Sequence, residues 1–408
     1  MSCDIPVAHN TSPNYHWKAL IGSTLGYAMD GFDLLILGFM LPAISQSLHL
    51  SHSQAGALVT WTLVGAVFGG IIFGALSDRF GRVRMLTWSI VLFAVFTGLC
   101  AFAQSYQELL ICRTIAGIGL GGEFGIGMAL AAEAWPAKQR ARASSYVALG
   151  WQVGVLAGAL LTPALLPHIG WRGMFMVGVI PAFIAWGMRW KLHEPELFVR
   201  RTQLNSPKTN AFRLLMKDRA TRRISLGIVV LTSVQNFGYY GMMIWMPSYL
   251  SHHLGFTLTK SSLWMAVTIV GMMIGIGLFG QLADRIGRKP SFLLFQTGAV
   301  VMVITYSLLS DPTAMLIAGA FLGMFVNGML GGYGALISEA FPTQARATAQ
   351  NVLFNIGRAV GGFGPLVIGA LTSLYSFHTA LALLAIIYVL DILATWFWIP
   401  EYRGHELR

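Results

Sequence analysis

Residues 26–42 read GYAMDGFDLLILGFMLP, an apolar run that carries two carboxylates, Asp30 and Asp33. The run predicts a membrane-spanning helix, in which two residues three positions apart share one face. A charge near the bilayer centre costs about 2.5–3.5 kcal/mol on insertion scales. We therefore expect both aspartates to face the protein interior or a water-filled cavity, where they either hold helices together or bind and release something charged.

The composition extends this interpretation to the whole chain. Of its 408 residues, 55% are hydrophobic and 11% are charged, whereas soluble domains carry roughly 25% charged residues. Apolar runs of about 20 residues, separated by short polar loops, predict twelve membrane spans. They lie at residues 18–47, 54–77, 86–104, 107–133, 143–166, 172–192, 224–250, 261–283, 291–309, 313–339, 347–374 and 378–399. The sequence thus predicts an all-α, multi-pass membrane protein.

The net charge of +11 follows the membrane topology and does not indicate a nucleic-acid partner. Of the 27 Lys and Arg residues, 23 fall on one predicted side of the membrane, ten of them between Arg189 and Arg223. This asymmetry places both termini in the cytoplasm. Compact loops favour a bacterial inner (plasma) membrane. The other four basic residues are Arg113, Arg172, Lys260 and Arg358.

Two motifs recur later in the chain with a single offset. Residues 74–82 read GALSDRFGR and residues 280–288 read GQLADRIGR, 206 positions later. The segment 133–140, with Glu-Ala-Trp-Pro and a following Arg, recurs at 339–346 as Glu-Ala-Phe-Pro and a following Arg, with the same offset. Two independent motifs that share one offset indicate an internal duplication of six-helix units.

Only one connection between the predicted spans is long and polar. It divides the chain into an N-terminal six-helix bundle at residues 1–192, a cytoplasmic linker at 193–223 and a C-terminal six-helix bundle at 224–408. A transporter built from two such repeats binds its substrate near the membrane midplane, between the bundles.

The repeated loops at residues 74–82 and 280–288 resemble a motif of a known family. The Gly-x-Leu-x-Asp-Arg-x-Gly-Arg loops after the second and eighth spans resemble the signature of the major facilitator superfamily, and the layout of twelve spans agrees over the whole chain. The Asp-Gly-Phe-Asp stretch at 30–33 is similar to the mark of its aromatic-acid/proton symporter branch. Arg113, followed by the glycine-rich residues 117–122 and Glu123, is similar to the same branch. Residues 237–241 and 357–365 resemble neighbouring nicotinate and organic-anion carriers.

A carboxylate substrate needs a cation in the central site, and arginine offers a planar, bidentate fork. We expect Arg358 to bind the substrate carboxylate, unless it pairs with an acidic residue to lock the bundle. Arg113 belongs either to the substrate or proton pathway or to a structural contact near the outer end of its helix. Aromatic and amide side chains that either shape the pocket or only pack are Trp151, Gln152, Tyr239, Tyr240, Asn327, Tyr333, Phe354 and Asn355.

Proton coupling needs a group that gains and loses a proton as the cavity opens and closes. The membrane-embedded candidates are Asp30, Asp33 and Glu123, although each could also belong to a static ion pair or hydrogen-bond network. Asp391, in the twelfth span, is expected to be scaffold. All ten histidines fall in loops, tails or helix ends, so a buried histidine relay is not expected. No metal or cofactor is expected, and protons are the coupling ion.

The repeated loops are expected to act as gates. Asp78 can accept hydrogen bonds from the N-terminus of another helix, whose dipole favours an anion, and can pair with a nearby arginine such as Arg142. The resemblance implies that these loops, with Arg82, latch the outward-open state on the cytoplasmic side. Asp284 and Arg288 are expected to do the same in the second half.

The leading interpretation is a secondary active transporter that takes up a small organic acid anion, an aromatic carboxylate first, together with protons by alternating access. Nicotinate, a muconate-type diacid or another carboxylate is the alternative substrate, and drug or metabolite efflux is a further alternative. A membrane-embedded enzyme would need a nucleophile–base or metal constellation inside the spans, and no His/Cys cluster supplies one. We expect no catalytic residues and a monomer in the lipid bilayer.

Overall fold

The computed structural model describes residues 14–190, 192–196, 198–199, 210–255, 258–364, 367–368, 371, 374–405 and 407. The first half of the described chain consists of long helices joined by short turns. They are α1 (Tyr15–Leu48), α2 (His52–Phe80), α3 (Arg82–Cys100), α4 (Tyr106–Ala134) and α5 (Arg140–Arg189). The element α5 is interrupted at Gly170, which has φ 67° and ψ 176°. Its two parts correspond to the fifth and sixth predicted spans.

The second half repeats this pattern after a short helix in the predicted linker. Its elements are α6 (Ala211–Leu215), α7 (Arg219–Leu254), α8 (Leu258–Ile286), α9 (Arg288–Leu308), α10 (Pro312–Gly328), α11 (Leu330–Ala340), α12 (Arg346–Gly361) and α13 (Phe377–Trp398). The tenth predicted span corresponds to α10 and α11 together. The eleventh predicted span begins with α12, and several of its later residues lie outside the described part.

The expected all-α membrane fold is confirmed. Nine stretches of the described chain are long and apolar enough to cross a membrane. One of them covers residues 137–187, which hold two predicted spans. The seventh predicted span lies within α7, and the eleventh begins with α12. The division into bundles at 1–192 and 224–408 stays a prediction.

Two glycines set the sharp turns at equivalent places in the two repeats. Gly81, between α2 and α3, has φ 115°, and Gly287, between α8 and α9, has φ 112°. Residues other than glycine are strained at such backbone angles. The next helix therefore starts at once, and this brings Arg82 and Arg288 into the first turn of α3 and α9, beside the preceding aspartate.

Close backbone contacts bring α1 and α4 to the centre of the first half. A Cβ atom at Gly154 of α5 would overlap the carbonyl of Ala28 in α1, and one at Gly121 of α4 would overlap the carbonyl of Ala66 in α2. Such small-residue contacts allow membrane helices to approach closely. They leave Asp30, Asp33 and Glu123 fully enclosed by protein, with at most 1% exposure.

Candidate functional site

A small cavity lies where α1 and α5 meet α7, α10, α11 and α12. The space open to the centre of a water-sized sphere is about 10 Å³, which is room for about one water molecule. Aromatic and amide side chains dominate the lining, which consists of Tyr27, Trp151, Gln235, Asn236, Tyr239, Tyr240, Asn327, Leu330, Phe354 and Arg358. An organic acid needs more space, so these walls must separate before such a molecule can bind.

The predicted substrate residues divide into two groups. Those that line the cavity are Trp151, Tyr239, Tyr240, Asn327, Phe354 and Arg358. Three others lie behind the lining. The Tyr333 hydroxyl donates to the Leu231 carbonyl at 2.9 Å, and the Asn355 amide donates to the Asn351 carbonyl at 2.8 Å. Gln152 is buried beside Tyr239.

Three polar lining residues were not predicted from the sequence. Gln235 and Asn236 lie about one turn before Tyr239 on α7, and the Gln235 amide donates to the Asn327 side-chain oxygen at 2.6 Å. Tyr27 lies three residues before Asp30 on α1. Both positions follow from helical spacing, since residues three or four apart share a face. The helical spacing from Tyr239, Tyr240 and Asp30, which were predicted from the sequence, could have indicated these three residues.

Arg358 is the cation of the cavity, and its contacts are loose. Its Nη2 lies 3.6 Å from Oδ2 of Asp30, and its Nε donates to the Tyr240 hydroxyl at 3.2 Å. The guanidinium carbon lies 4.9 Å from the centroid of the Trp151 ring. Among the described residues, nothing donates a hydrogen bond to either oxygen of Asp30. The guanidinium is thus positioned by an aromatic face and a phenol, without a bidentate carboxylate partner.

Arg113 makes the opposite kind of contact. Its two Nη atoms donate to the two oxygens of Asp33 at 3.0 and 2.6 Å, and its Nε donates to the Thr62 hydroxyl at 3.3 Å. Both side chains of the pair are fully buried. Arg113 therefore points inward from α4 and not toward the outer end of the helix. It is absent from the cavity lining, so the structure does not bring it to Arg358.

Glu123 pairs with an arginine that was not predicted as its partner from the sequence. This residue is Arg189, one of the basic residues assigned to the cytoplasmic side. It is buried, and its Nη2 lies 2.7 Å from Oε2 of Glu123. Ser89 donates to Oε1 of Glu123 at 2.8 Å, and Arg189 also donates to the Gly22 carbonyl at 2.7 Å. The pairing has a physical reason: a buried carboxylate needs a cation, and the last turn of α5 supplies it.

The first repeated loop binds the second half of the chain. The Asp78 carboxylate accepts from the backbone of Ala347 at 3.2 Å and of Thr348 at 2.8 Å, in the first turn of α12. Arg82 lies 2.9 Å from the same carboxylate and 3.1 Å from Glu133. An aspartate at the end of one helix therefore caps the N-terminus of a helix in the other half.

The second loop repeats the contact in the opposite direction, which corrects the predicted partner of Asp78. Asp284 accepts from the backbone N–H groups of Ala141 at 3.1 Å and Arg142 at 3.0 Å, and it lies 3.1 Å from Arg288. The expectation that Asp78 pairs with Arg142 is wrong, because Arg142 belongs to the helix that Asp284 caps. Each aspartate crosses to the other half.

Two glutamates outside the spans complete this arrangement and were missed. Glu194 accepts from the backbone N–H groups at the start of α3, including that of Arg82 at 2.7 Å. Glu401 accepts in the same way at the start of α9, from Arg288 at 2.9 Å and Lys289 at 2.9 Å. Carboxylates are favoured at helix N-termini by the unpaired N–H groups and the helix dipole. Each loop is therefore held both by the contact of its aspartate with the other half and by a glutamate, Glu194 or Glu401.

Comparison with known proteins assigns the family. The model of the Major Facilitator Superfamily matches residues 23–313 and 249–407. The chain therefore belongs to the Major Facilitator Superfamily, which makes it a membrane transporter and not an enzyme. The solved structure of the proton:xylose symporter XylE has a TM-score of 0.83 at 21% identity, over 97% of this chain and 98% of that chain. At this identity the likeness concerns the fold alone.

Three curated relatives are similar over nearly their full length. A protein of Haemophilus influenzae, provisionally named a metabolite transport protein, is 72% identical over 98% of this chain and 99% of its own. A probable 4-methylmuconolactone transporter of Cupriavidus pinatubonensis is 33% identical over 93% of this chain and 89% of its own. The cis,cis-muconate transport protein of Acinetobacter baylyi is 32% identical over 88% and 89%. These matches confirm the superfamily and a transport function for this chain.

The buried pair of Glu123 and Arg189 yields a stability prediction. Arg189→Ala leaves the glutamate buried without its cation, which costs about 3–5 kcal/mol. We expect a clear drop in the apparent melting temperature of the purified protein. Arg84→Ala removes an exposed arginine of α3 and should change stability by no more than about 0.5 kcal/mol.

A double variant separates the pair from general damage to the helix. Adding Glu123→Ala to Arg189→Ala removes the unpaired charge, so the double variant should lose less than the sum of the two single variants. Equal melting temperatures for Arg189→Ala and Arg84→Ala would contradict the assignment of Arg189 to the interior.

Proposed function

We propose that this protein is a proton-coupled symporter that takes up a small organic acid anion, with an aromatic monocarboxylate as the favoured substrate. The observation that carries the proposal is the position of Arg358. It is a buried guanidinium in the cavity wall, and its only carboxylate contact among the described residues is the 3.6 Å approach to Asp30. A guanidinium that is desolvated and incompletely paired is a strong site for a carboxylate.

The surroundings of Arg358 favour an aromatic acid. Trp151, Tyr239 and Phe354 line the same space and offer ring faces and edges for stacking. Tyr239 also accepts a hydrogen bond from the Trp151 indole at 3.1 Å, which joins α5 to α7 at the cavity. A planar ring with one carboxylate would meet rings on its faces and the guanidinium at its acidic end.

Asp30 supplies a route to coupling. An ionised Asp30 competes with an incoming carboxylate for Arg358, because both anions are attracted to one cation. A proton on Asp30 removes this competition, so proton binding and substrate binding each strengthen the other. Carrying one proton with one monoanion also moves no net charge through the low-dielectric interior.

The pair of Asp33 and Arg113 is proposed as a second element of the coupling. Its two charge-assisted hydrogen bonds hold α1 against α4, and a proton on Asp33 would neutralise one member of the pair. Breaking such a pair by deleting a partner costs about 3–5 kcal/mol, so its protonation can bias which conformation of the first half is favoured. Glu123 is proposed as a further proton group only in a state that opens its contact with Arg189.

The contacts of the two repeated loops indicate which side of the transporter is closed in this conformation. Asp78 and Asp284 bind helix N-termini across the two halves, which supports a conformation closed on the side of these loops. With the positive-inside rule, that side is the cytoplasm and both termini are cytoplasmic. We further propose bundles at 1–192 and 224–408, a cytoplasmic linker at 193–223, a monomer, and a bacterial inner membrane.

A muconate-type diacid is the second candidate substrate, and the name of one relative, the cis,cis-muconate transport protein, favours it. The second carboxylate of such a substrate would call for a second cation. Arg113 is occupied by Asp33, with its shortest contact at 2.6 Å, which favours the monocarboxylate. Nicotinate combines an aromatic ring with one carboxylate and fits the same arrangement.

Uptake into proteoliposomes tests the proposal. The panel contains radiolabelled benzoate, hydroxybenzoates, nicotinate, muconate and shikimate, with a neutral sugar as control. We expect accumulation of an aromatic monocarboxylate only when an inward proton gradient is imposed. Accumulation of muconate alone would identify a diacid as the substrate in place of the aromatic monocarboxylate. No accumulation of any acid would contradict the proposal and favour efflux.

Arg358→Lys tests the role of the guanidinium. The substitution keeps the charge but loses the bidentate fork, so we expect the KM for the accumulated acid to rise about tenfold, which is about 1.4 kcal/mol of binding. The matched control is Arg84→Lys at an exposed position. A wild-type KM in Arg358→Lys would remove this residue from the site.

Asp33→Asn tests coupling. The variant cannot release a proton at this position, so we expect it to lose accumulation driven by the proton gradient while it still exchanges external for internal substrate. Asp311→Asn, at the exposed N-terminus of α10, is the control and should retain both activities. Undiminished accumulation in both Asp30→Asn and Asp33→Asn would show that the coupling group lies elsewhere.

A further inference from the structure

Asp391 is a buried carboxyl group that the proposed transport cycle does not use. It lies in α13, about two turns before the helix ends at Trp398, and it is fully buried. The buried carboxylates Asp30, Asp33 and Glu123 each face an arginine. Within the described part of the chain, Asp391 has no ion pair, and neither of its oxygens makes a hydrogen bond.

The side chains around Asp391 are neutral and oxygen-rich. Tyr388 and Thr395 share its face of α13, three residues before it and four residues after it. From α9, the Gln296 amide nitrogen donates to the Thr395 hydroxyl oxygen at 2.7 Å. The titratable groups that face Asp391 are the phenols of Tyr388 and of Tyr333 in α11. No described lysine or arginine contributes to this cluster.

The hydrogen bond from Gln296 to Thr395 leaves the amide oxygen of Gln296 without a partner. That oxygen, both oxygens of Asp391 and the Tyr388 hydroxyl are buried and unpartnered within the described chain. Gln296 lies beside Asp391 across the contact of α9 and α13, and its unpartnered amide oxygen, like an ionised carboxylate, can only accept. A proton on Asp391 supplies a donor, so that the carboxylic acid can bond to this amide oxygen.

We infer that Asp391 is a proton-binding site outside the transport cavity, in which the carboxylic acid donates to the side-chain oxygen of Gln296. The site needs no space beyond the packed contact of α9 and α13. It differs from the aspartates of α1 because, within the described chain, it faces no arginine that would compete with the proton. A carboxylate in this place would be an unpaired buried charge, whereas the neutral acid donates its one proton to the unpartnered amide oxygen of Gln296.

The site lies directly behind one wall of the cavity. A Cβ atom at Gly238 of α7 would overlap the Tyr388 hydroxyl, and the next two residues of α7, Tyr239 and Tyr240, line the cavity. An ionised Asp391 would attract the Tyr388 hydroxyl as a donor and draw it away from Gly238. The proton on Asp391 therefore holds α7, and with it the contact of Tyr240 with Arg358, in the described position.

Infrared spectroscopy tests the proton directly. The spectrum of the purified full-length wild-type protein minus that of Asp391→Asn at neutral pH should contain the C=O stretch of a protonated carboxylic acid. The same subtraction with Asp311→Asn, whose aspartate is exposed at the start of α10, should contain carboxylate bands only. If the Asp391→Asn subtraction also gives carboxylate bands only, Asp391 is ionised, with the Gln296 amide turned to donate, and the inference is overturned.

A second variant keeps the test decisive if Asp391→Asn does not fold. Gln296→Leu removes the proposed acceptor and leaves Asp391 in place. The C=O band of the acid should then persist and shift to higher frequency, because its hydrogen bond is lost. A band unchanged in Gln296→Leu would contradict the proposed acceptor.

The link to the cavity rests on the proposed function and has its own readout. The KM for exchange of the acid that accumulates in the panel should rise, in the wild type, above the pH at which the acid band of Asp391 disappears. Asp391→Asn stays neutral and should lack this rise, and superimposable profiles would overturn the link. If no acid is transported, the proposed function fails, while the infrared result still decides whether Asp391 holds the proton.

Discussion

The structure depends on one constraint, which is that a charge inside the membrane-spanning bundle must be paired or neutralised. Water cannot reach these side chains, and an unpaired ion costs several kcal/mol even after the protein relaxes. The described chain meets the constraint in different ways. Arg113 and Arg189 each form two short hydrogen bonds to one carboxylate. Arg358 is held by a phenol and an indole ring, with its carboxylate at 3.6 Å. These differences separate candidate working groups from scaffold.

The internal duplication places a second set of charges at the two repeated loops. Glu133 bonds Arg82 from its own half and Arg346 from the other half, and Glu339 does the same with Arg288 and Arg140. Because these bonds cross between the halves in both directions, they must break together before the loops can separate. The small central cavity agrees with this closed arrangement. A few charged residues, used twice, thus link the position of the two halves to the accessibility of the site.

The sequence predicted the helices well because the signals for membrane spans are long and local. Two aspartates in an apolar run and the repeated loop at 74–82 were sufficient for the superfamily. The pairing of charges was harder to predict, since it depends on how distant helices face each other. Arg189 follows an apolar span and precedes a basic linker, so its position favoured the surface. The partner of Asp78 was mistaken because the duplication makes two loops equivalent, and only the packing shows that each reaches the opposite half.

The most direct test of the central claim is whether protons enter together with the acid. Proteoliposomes that contain a trapped pH-sensitive dye receive an inward gradient of the transported acid, with equal pH on both sides. Protein-free liposomes correct for passive entry of the neutral acid. Symport predicts that the lumen acidifies faster with the protein than without it, in proportion to uptake. Uptake without additional acidification, or with alkalinisation of the lumen, would contradict proton symport and favour a uniporter or an antiporter.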